Sequence, residues 1–275
     1  MANDSALPPV LRGFVAAVFD LDGVVTRTAR LHSQSWKRLF DEFLERWSTR
    51  TGVSHQPFEI QTDYLRHVDG KPRYEGVEAF LVSRGIELPR GNLQDLPDHE
   101  TICGLGNRKN EIFNAILERD GVEIFDSSVG LIRRLREAGI RTALVTSSKN
   151  AGAVLSAAGI ADLFEVIIDG VKAERLALKG KPEPDTFAQA ATELGVDTRN
   201  AVAFEDALSG VLAADRAGYG LVIGVDRTNQ SGALYEHGAD IVVSDLAELF
   251  EIARKLDSAP SGTRASVVHS SRESK

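Results

Sequence analysis

The stretch VAAVFDLDGVVT, at residues 15–26, joins a short apolar run to two carboxylates. Its first five residues are all apolar, which predicts a buried β-strand. Asp20 and Asp22 follow, and because side chains alternate along an extended chain, both would point the same way. Gly23 then lets the backbone turn sharply without a Cβ penalty. The stretch therefore predicts a strand that brings paired acids to a turn, where one carboxylate could attack while the other transfers protons.

Three later segments also place polar groups next to apolar runs. TALVTSSKN, at residues 142–150, is an apolar strand that ends in hydroxyl, ammonium and amide groups, which suit a phosphate. GKPEPD, at residues 180–185, holds Lys181 in a Pro-stiffened loop before a predicted helix. AVAFED, at residues 201–206, ends a second apolar strand in adjacent carboxylates. Four acids, one lysine and Thr146 together predict metal-assisted phosphoryl transfer.

Apolar strands alternate with helical patterns from residue 15 onward. The predicted strands are Val15–Phe19, Arg141–Val145, Phe164–Ile168, Ala201–Phe204, Leu221–Val225 and Ile241–Val243. The predicted helices are Val129–Ala138, Ala151–Ala158, Asp185–Leu194, Ser209–Ala217 and Leu246–Leu256. This order predicts an α/β fold with a doubly wound parallel sheet covered on both faces. Ligands of such sheets bind beyond the carboxyl ends of the strands, where the four motifs lie.

The segment from about Arg30 to Phe113 interrupts this alternation with mostly helical patterns. Its apolar residues fall at helical spacing and are predicted to form a core: Leu39, Phe40, Phe43, Leu44 and Trp47. We interpret residues 30–116 as a helical cap domain. The cap would be inserted into an α/β catalytic core formed by residues 14–29 and 117–257.

Three segments carry no regular pattern. Pro89 to Gly106 is rich in Gly, Pro, Asp and Asn, which predicts a long loop within the cap. Residues 1–13 read as a polar lead-in. Residues 258–275 are polar and aperiodic, which predicts a disordered tail.

Composition narrows the classes of function. With 275 residues, 43% of them hydrophobic, the chain can bury a substantial core. A net charge of −8 argues against nucleic acid or anionic membranes as partners. The single cysteine, Cys103, cannot form an internal disulfide, which fits a reducing compartment, and it is expected to be a small buried or half-buried residue. No signal peptide or membrane span is recognisable, so we expect a cytoplasmic protein. We further expect a monomer or weak dimer.

The order and spacing of the four motifs resemble the haloacid dehalogenase superfamily of aspartyl phosphotransferases, from about Ala16 to Leu256. The resemblance implies a Rossmann-like core with an inserted cap, in which Asp20 is the nucleophile and Asp22 the general acid and base. Lys181 and Thr146 would hold the transferring phosphate. A Mg²⁺ cofactor would be bound by Asp20, the backbone carbonyl of Asp22, Glu205 and Asp206.

Four of these residues also have a structural alternative. Asp22 could cap a loop, and Lys181 could be an exposed loop lysine. Glu205 or Asp206 could cap the N-terminus of the following helix instead of binding a metal.

Within the superfamily, the cap motifs are most similar to those of the β-phosphoglucomutases. The matching positions are DGVVT at 22–26, Thr28-Ala29, His32, Trp36-Lys37, GKPR at 70–73, RKN at 108–110 and SKN at 148–150. The resemblance implies a small phosphorylated sugar as the substrate, a second phosphate site and a hinge at Thr28. It also implies these substrate-binding residues: His32, Arg73, Lys109, Asn110, Ser147, Ser148, Lys149 and Asn150. Alternatively, Arg73 and Lys109 lie on a solvated helix face, and His32 is an ordinary helix histidine.

One position departs from the family pattern. The family usually has an acid between the two threonines of its T-x-T motif, whereas this chain has Arg27. We expect this cation near the hinge to alter cap closure or the pKa values of the site.

Two enzymatic functions remain open. A β-phosphoglucomutase would interconvert β-glucose 1-phosphate and glucose 6-phosphate through β-glucose 1,6-bisphosphate. A Mg²⁺-dependent phosphatase of a small sugar or polyol phosphate would use water as the second acceptor. Only a second phosphate site separates them. A non-catalytic sensor is disfavoured, because Asp20, Asp22 and Lys181 are all present.

Overall fold

The computed structural model describes residues 7–68 and 71–251 of the chain. Their contacts separate two compact units, of which the first contains the described residues up to Arg27 and from Glu123 onward. The second unit is Thr28–Val122. The predicted tail, the end of the predicted last helix, the first six residues of the lead-in and Gly70 lie outside the described residues.

The first unit is built on a six-stranded sheet in which every neighbouring pair of strands is parallel. In chain order its strands are β1 (Ala16–Phe19), β2 (Arg141–Val145), β3 (Val166–Ile168), β4 (Ala201–Glu205), β5 (Leu221–Val225) and β6 (Ile241–Val243). The spatial order is β3-β2-β1-β4-β5-β6. The predicted parallel α/β sheet is thus confirmed. β3 begins two residues later than predicted, because a 3₁₀ turn at Ala161–Leu163 leads into it.

Helices connect the strands of this unit. They are α4 (Asp126–Glu137), α5 (Ala151–Ala158), α6 (Gly170–Arg175), α7 (Asp185–Leu194), α8 (Leu208–Arg216) and α9 (Ser231–Glu236). α7 packs on β1, β2 and β3, and α8 packs on β4 and β5. Small residues on the strands, including Ala16, Ala143 and Ala203, leave room for Phe187 of α7 in the shared core. A 3₁₀ turn at Leu246–Glu248 starts the segment that was predicted as the last helix.

The second unit is helical. It contains α1 (Ala29–Thr51), a π-helical segment (Ile60–Val68), α2 (Arg73–Ser83) and α3 (Ile102–Asp120). An aromatic cluster forms its centre, with the Phe40 ring centroid 4.0 Å from that of Phe80 and 5.2 Å from that of Phe58. The apolar face predicted for α1 is buried apart from Trp47, which is half-buried.

The predicted loop from Pro89 to Gly106 is wrong in its last five residues, because α3 begins at Ile102. Thr101 caps the helix, since its hydroxyl accepts a hydrogen bond from the Gly104 amide at 2.9 Å. Gly104 suggested a loop, but it allows a close approach: a Cβ there would lie 2.3 Å from the carbonyl oxygen of His99. Cys103, in this first turn, is buried as expected.

In the described part of the chain, the helices lack the combination of length and apolarity that a membrane span requires.

Candidate active site

Three adjacent parallel strands end at the same edge of the sheet. Phe19, the last residue of β1, pairs with Leu144 of β2 and with Phe204 of β4. Asp20, Thr146 and Asp206 follow the ends of these strands. The sheet register therefore brings three of the four predicted motifs to one edge.

Lys181 links the fourth motif to this edge. Its Nζ donates hydrogen bonds to the carboxylates of Asp20 and Glu205, and lies 3.3 Å from the carbonyl oxygen of Val145. The Lys181 side chain is 8% exposed, so the exposed-loop alternative for this residue is wrong. Asp20 and Glu205 are also buried. One ammonium group thus lies between two buried carboxylates.

Burial and mutual repulsion shape the ionisation of these groups. Burial raises the pKa of Asp20 well above its ordinary value; the positive charge of Lys181 opposes this rise, while Glu205, Asp206 and Asp22 add to it. Burial, with the charge of Glu205, raises the pKa of Asp206 to about 8. Burial alone would lower the pKa of Lys181, but Asp20 and Glu205 raise it overall. The site therefore holds more carboxyl groups than one ammonium group can neutralise, and burial favours the protonated forms of Asp20 and Asp206.

The chemistry of this donor set fits Mg²⁺, which prefers carboxylate and carbonyl oxygens. Within residues 7–68 and 71–251, however, no three carboxylate, imidazole or thiol groups already converge as a metal-binding group. In this arrangement, one oxygen of Asp20 and one of Glu205 each accept a hydrogen bond from the ammonium group of Lys181. The residues are thus suited to a divalent cation in type and burial.

Gly23 brings the loop after β1 against the loop after β4. A Cβ at Gly23 would lie 1.8 Å from Oδ2 of Asp206, and its φ of +88° is in the left-handed region. Glu205 helps to order the second loop, since its Oε2 accepts a hydrogen bond from the Ala207 amide at 2.9 Å. This bond is made to the residue before α8 and not to the first turn of the helix, so Glu205 orders the loop without capping the helix.

The segment after β2 forms a tight polar turn. The Thr146 hydroxyl accepts from the Ser148 amide at 3.0 Å, and Oγ of Ser148 accepts from the Asn150 amide at 3.2 Å. Ser147, between them, is exposed. Lys149 is also exposed and forms an ion pair with Glu174 at 2.7 Å. Thr146 is thus fixed in the buried part of the site, whereas Lys149 lies at the surface of this unit.

The predicted cap residues form two contacts within the second unit. Nζ of Lys109 lies 2.8 Å from Nδ1 of His32, and Nη2 of Arg73 donates to Oδ1 of Asn110 at 2.9 Å. Lys109 is only 3% exposed, so the solvated-face alternative for this lysine is wrong. Burial lowers the pKa of His32 well below its ordinary value, and the charges of Lys109 and Arg73 lower it further. His32, Arg73, Lys109 and Asn110 therefore form one cationic cluster.

Residues at the predicted hinge are held by backbone contacts. Thr28 is buried, and its carbonyl accepts from the His32 amide at 2.9 Å. The Arg27 amide donates to the Glu123 carbonyl at 2.8 Å, and the Arg27 guanidinium lies 4.0 Å from the centroid of the Phe125 ring. The unexpected cation thus packs on an aromatic ring.

Sequence reasoning missed Arg227, whose guanidinium reaches the carbonyl of Gly23 and also packs on Phe125. The available signal was its position two residues after β5, at the edge of the sheet where the other motifs lie. The position of Phe125 near the site could not be predicted, because an isolated aromatic residue before a helix is typical of a buried core residue.

The fold and this edge define an α/β protein with a buried carboxylate–lysine site at the carboxyl ends of its strands and an inserted helical unit. The chain belongs to the haloacid dehalogenase-like hydrolase family, whose model matches residues 14–218.

Individual relatives include both mutases and phosphatases. The chain is 45% identical over 237 residues to the β-phosphoglucomutase of Mycobacterium bovis, covering 85% of this chain and 90% of that protein. It is 28% identical over 238 residues to the validoxylamine A 7'-phosphate phosphatase of Streptomyces hygroscopicus, covering 86% and 96%. Among solved structures, CbbY from Rhodobacter sphaeroides in complex with xylulose-(1,5)bisphosphate has a TM-score of 0.65 and 26% identity, covering 86% and 96%.

Proposed function

We propose that the protein is a Mg²⁺-dependent β-phosphoglucomutase that interconverts β-glucose 1-phosphate and glucose 6-phosphate through β-glucose 1,6-bisphosphate. The observation that carries this proposal is the cationic cluster of His32, Arg73, Lys109 and Asn110 in the helical unit. A phosphatase that handles one phosphate needs only the carboxylate–lysine site. A mutase must also hold the phosphate that is not being transferred. The identity to a mycobacterial β-phosphoglucomutase supports the same choice.

In the proposed reaction, a carboxylate oxygen of Asp20 attacks the 1-phosphate of β-glucose 1,6-bisphosphate, and the phosphorus–oxygen bond to the sugar breaks, which leaves glucose 6-phosphate. Asp22 protonates the leaving oxygen. In the second step the 6-hydroxyl of an incoming β-glucose 1-phosphate loses its proton to Asp22 and attacks the aspartyl-phosphate, which regenerates both Asp20 and the bisphosphate. Lys181 and Thr146 hold the oxygens of the transferring phosphate and stabilise their charge.

Mg²⁺, when bound by Asp20, the Asp22 carbonyl, Glu205 and Asp206, would supply charge neutralisation between the anionic nucleophile and the anionic phosphate. Lys181 shares that role. The cluster of buried carboxyl groups supports this assignment, since a divalent cation would offset the burial and the repulsion between carboxylates that together raise the pKa of Asp20.

The cationic cluster has a separate role in the proposed phosphoglucomutase. Arg73, Lys109 and Asn110, with Ser147, Ser148, Lys149 and Asn150, would bind the second phosphate, and His32 would contact the sugar. The planar guanidinium of Arg73 suits paired contacts with phosphate oxygens. Thr28 would be the hinge of the cap.

The second candidate is a phosphatase, which the similarity to validoxylamine A 7'-phosphate phosphatase favours. The same carboxylate–lysine site would serve it, with water replacing the sugar hydroxyl as the acceptor of the aspartyl-phosphate.

One assay separates the two functions. The protein is incubated with β-glucose 1-phosphate, Mg²⁺ and a trace of β-glucose 1,6-bisphosphate, and glucose 6-phosphate and free phosphate are measured in parallel. We expect glucose 6-phosphate in large excess, and loss of both products when a chelator removes Mg²⁺. Free phosphate as the main product would contradict the mutase proposal and support the phosphatase.

A further inference from the structure

Arg227 lies two residues beyond β5 and contacts two other loops at the carboxyl edge of the sheet. Its Nε donates to the carbonyl oxygen of Gly23 at 2.7 Å, and its Nη1 donates to the carbonyl oxygen of Ser244 at 2.6 Å. The loop that carries Asp20 and Asp22 is therefore connected to the segment after β6 through one guanidinium group.

The Gly23 peptide is a sensitive place for such a contact. Its amide donates to the Thr26 carbonyl at 2.8 Å, which closes the turn after Asp22. A Cβ at Gly23 would lie only 1.8 Å from Oδ2 of Asp206. A shift of this peptide would therefore displace Asp22, its neighbour in sequence, or Asp206, its neighbour in space.

The same guanidinium also packs on Phe125. Its central carbon lies 3.6 Å from the centroid of the Phe125 ring, and that of Arg27 lies 4.0 Å from it. The Phe125 amide donates to the Val25 carbonyl at 2.9 Å, so the ring belongs to a residue that is itself bonded to the loop after β1. Arg227 thus reaches this loop directly through Gly23 and indirectly through Phe125.

We propose that Arg227 is a positioning residue, which fixes the Gly23 peptide and through it the carboxylates of Asp22 and Asp206. The planar fork of arginine allows two hydrogen bonds and a ring contact at once, which a lysine ammonium group cannot reproduce. Nη2 is buried and makes no hydrogen bond to any other described residue, so the head group is held by these three contacts. The effect on turnover rests on the proposed phosphoryl transfer at Asp20, whereas the effect on the loop does not.

The test compares Arg227→Gln and Arg227→Lys with wild type and with Arg199→Gln. Arg199 is a matched control because it lies in the same unit, loses the same charge and has a side chain that is 81% exposed. Hydrogen exchange is measured by mass spectrometry on peptides that cover residues 20–27, with residues 141–146 of β2 as an internal reference. kcat and KM for the sugar phosphate are measured on the same preparations.

In Arg227→Gln we expect the bonded amides of Gly23, Val25 and Thr26 to exchange roughly tenfold faster, while β2 is unchanged. kcat should fall by about 10- to 100-fold, the order of loss that a small misplacement of reacting groups produces. KM should stay within about threefold, because Lys181 and Thr146 are untouched. Arg227→Lys should give intermediate values for both exchange and kcat, and Arg199→Gln should match wild type.

Wild-type exchange across residues 20–27 in both Arg227 variants would overturn the proposal, as would wild-type exchange and kcat in Arg227→Lys. If Arg227→Gln does not fold, hydrogen exchange and kcat of Arg227→Lys test the proposal instead. If the wild-type protein does not turn over the sugar phosphate, the proposed function fails, and the exchange measurement alone decides the role of Arg227.

Discussion

A single ammonium group organises the site at the scale of the residue. Nζ of Lys181 donates to both Asp20 and Glu205, and all three side chains are buried. Loss of one partner from a buried ion pair leaves an uncompensated charge in a medium that solvates it poorly. Lys181 therefore stabilises the buried carboxylates of Asp20 and Glu205 in addition to its role in the proposed transfer.

Replacement of the proposed nucleophile is the first prediction at this scale. Asp20→Asn conserves the shape of the side chain but removes the attacking oxygen anion, so activity should fall by about 10³-fold or more, as when other nucleophiles are removed. Product formation and acid-quenched phosphoenzyme are measured, the latter mapped by mass spectrometry. Asp162→Asn, at an exposed position of the same unit, is the control. Wild-type turnover in Asp20→Asn would show that the nucleophile lies elsewhere.

His32 leads to a prediction about pH. Its folded-state pKa is lowered by burial and by Lys109 and Arg73, while its unfolded value is about 6.5. As pH falls below about 6.5, the unfolded chain takes up a proton that the folded chain does not, so stability is lost. Wild type should therefore lose stability with falling pH more steeply than His32→Gln, by up to about 1.4 kcal/mol per pH unit.

Tryptophan fluorescence measures this effect in the correct unit, because both tryptophans, Trp36 and Trp47, lie in α1. Denaturant unfolding is followed between about pH 5 and 7.5 for each variant. His99→Gln, at a histidine whose side chain is 52% exposed, should keep the steeper wild-type slope. Equal slopes in wild type and His32→Gln would contradict the lowered pKa.

At the scale of the element, the strands were predictable and the start of α3 was not. β1, β2 and β4 are apolar runs that end in polar groups, and a parallel sheet buried on both faces requires that pattern. The first five residues of α3 include Gly104 and Gly106, whose low helix propensity indicated a loop. Close packing overrode propensity there, and a sequence does not show which backbone atom will approach a glycine.

This difference predicts opposite effects for two glycine replacements. Gly130→Ala, in α4 with no atom within 4 Å of the added Cβ, should stabilise the protein by up to about 1 kcal/mol through helix propensity. Gly104→Ala places its Cβ 2.3 Å from the backbone oxygen of His99. It should destabilise by about 1–3 kcal/mol, the usual cost of overpacking. Calorimetric unfolding of both variants checks this, and a stabilised Gly104→Ala would show that the helix can shift freely.

For the whole molecule, the sequence predicted the sheet and the carboxylate–lysine chemistry better than the contacts between loops. Lys181 could be placed near Asp20 because its motif is local and follows the family pattern. Arg227 could not be placed, because its contact with Gly23 spans 204 positions in the chain and depends on how three loops meet. Long-range contacts of this kind leave no periodic trace in a sequence.

In the proposed mutase, the cationic cluster of His32, Arg73, Lys109 and Asn110 holds one phosphate while Asp20 accepts the other. The most direct test is the ratio of glucose 6-phosphate to free phosphate formed from β-glucose 1-phosphate by Arg73→Ala and by a matched control, Arg90→Ala. Arg90 lies in the same unit, and its side chain is 65% exposed.

We expect Arg73→Ala to lose isomerisation by about one to two orders of magnitude, the equivalent of one charge-assisted hydrogen-bonded anchor. Slow release of free phosphate should persist, since Asp20 and Lys181 are untouched, and Arg90→Ala should keep the wild-type ratio. Isomerisation at the wild-type rate in Arg73→Ala would contradict the proposal that the cationic cluster binds the second phosphate.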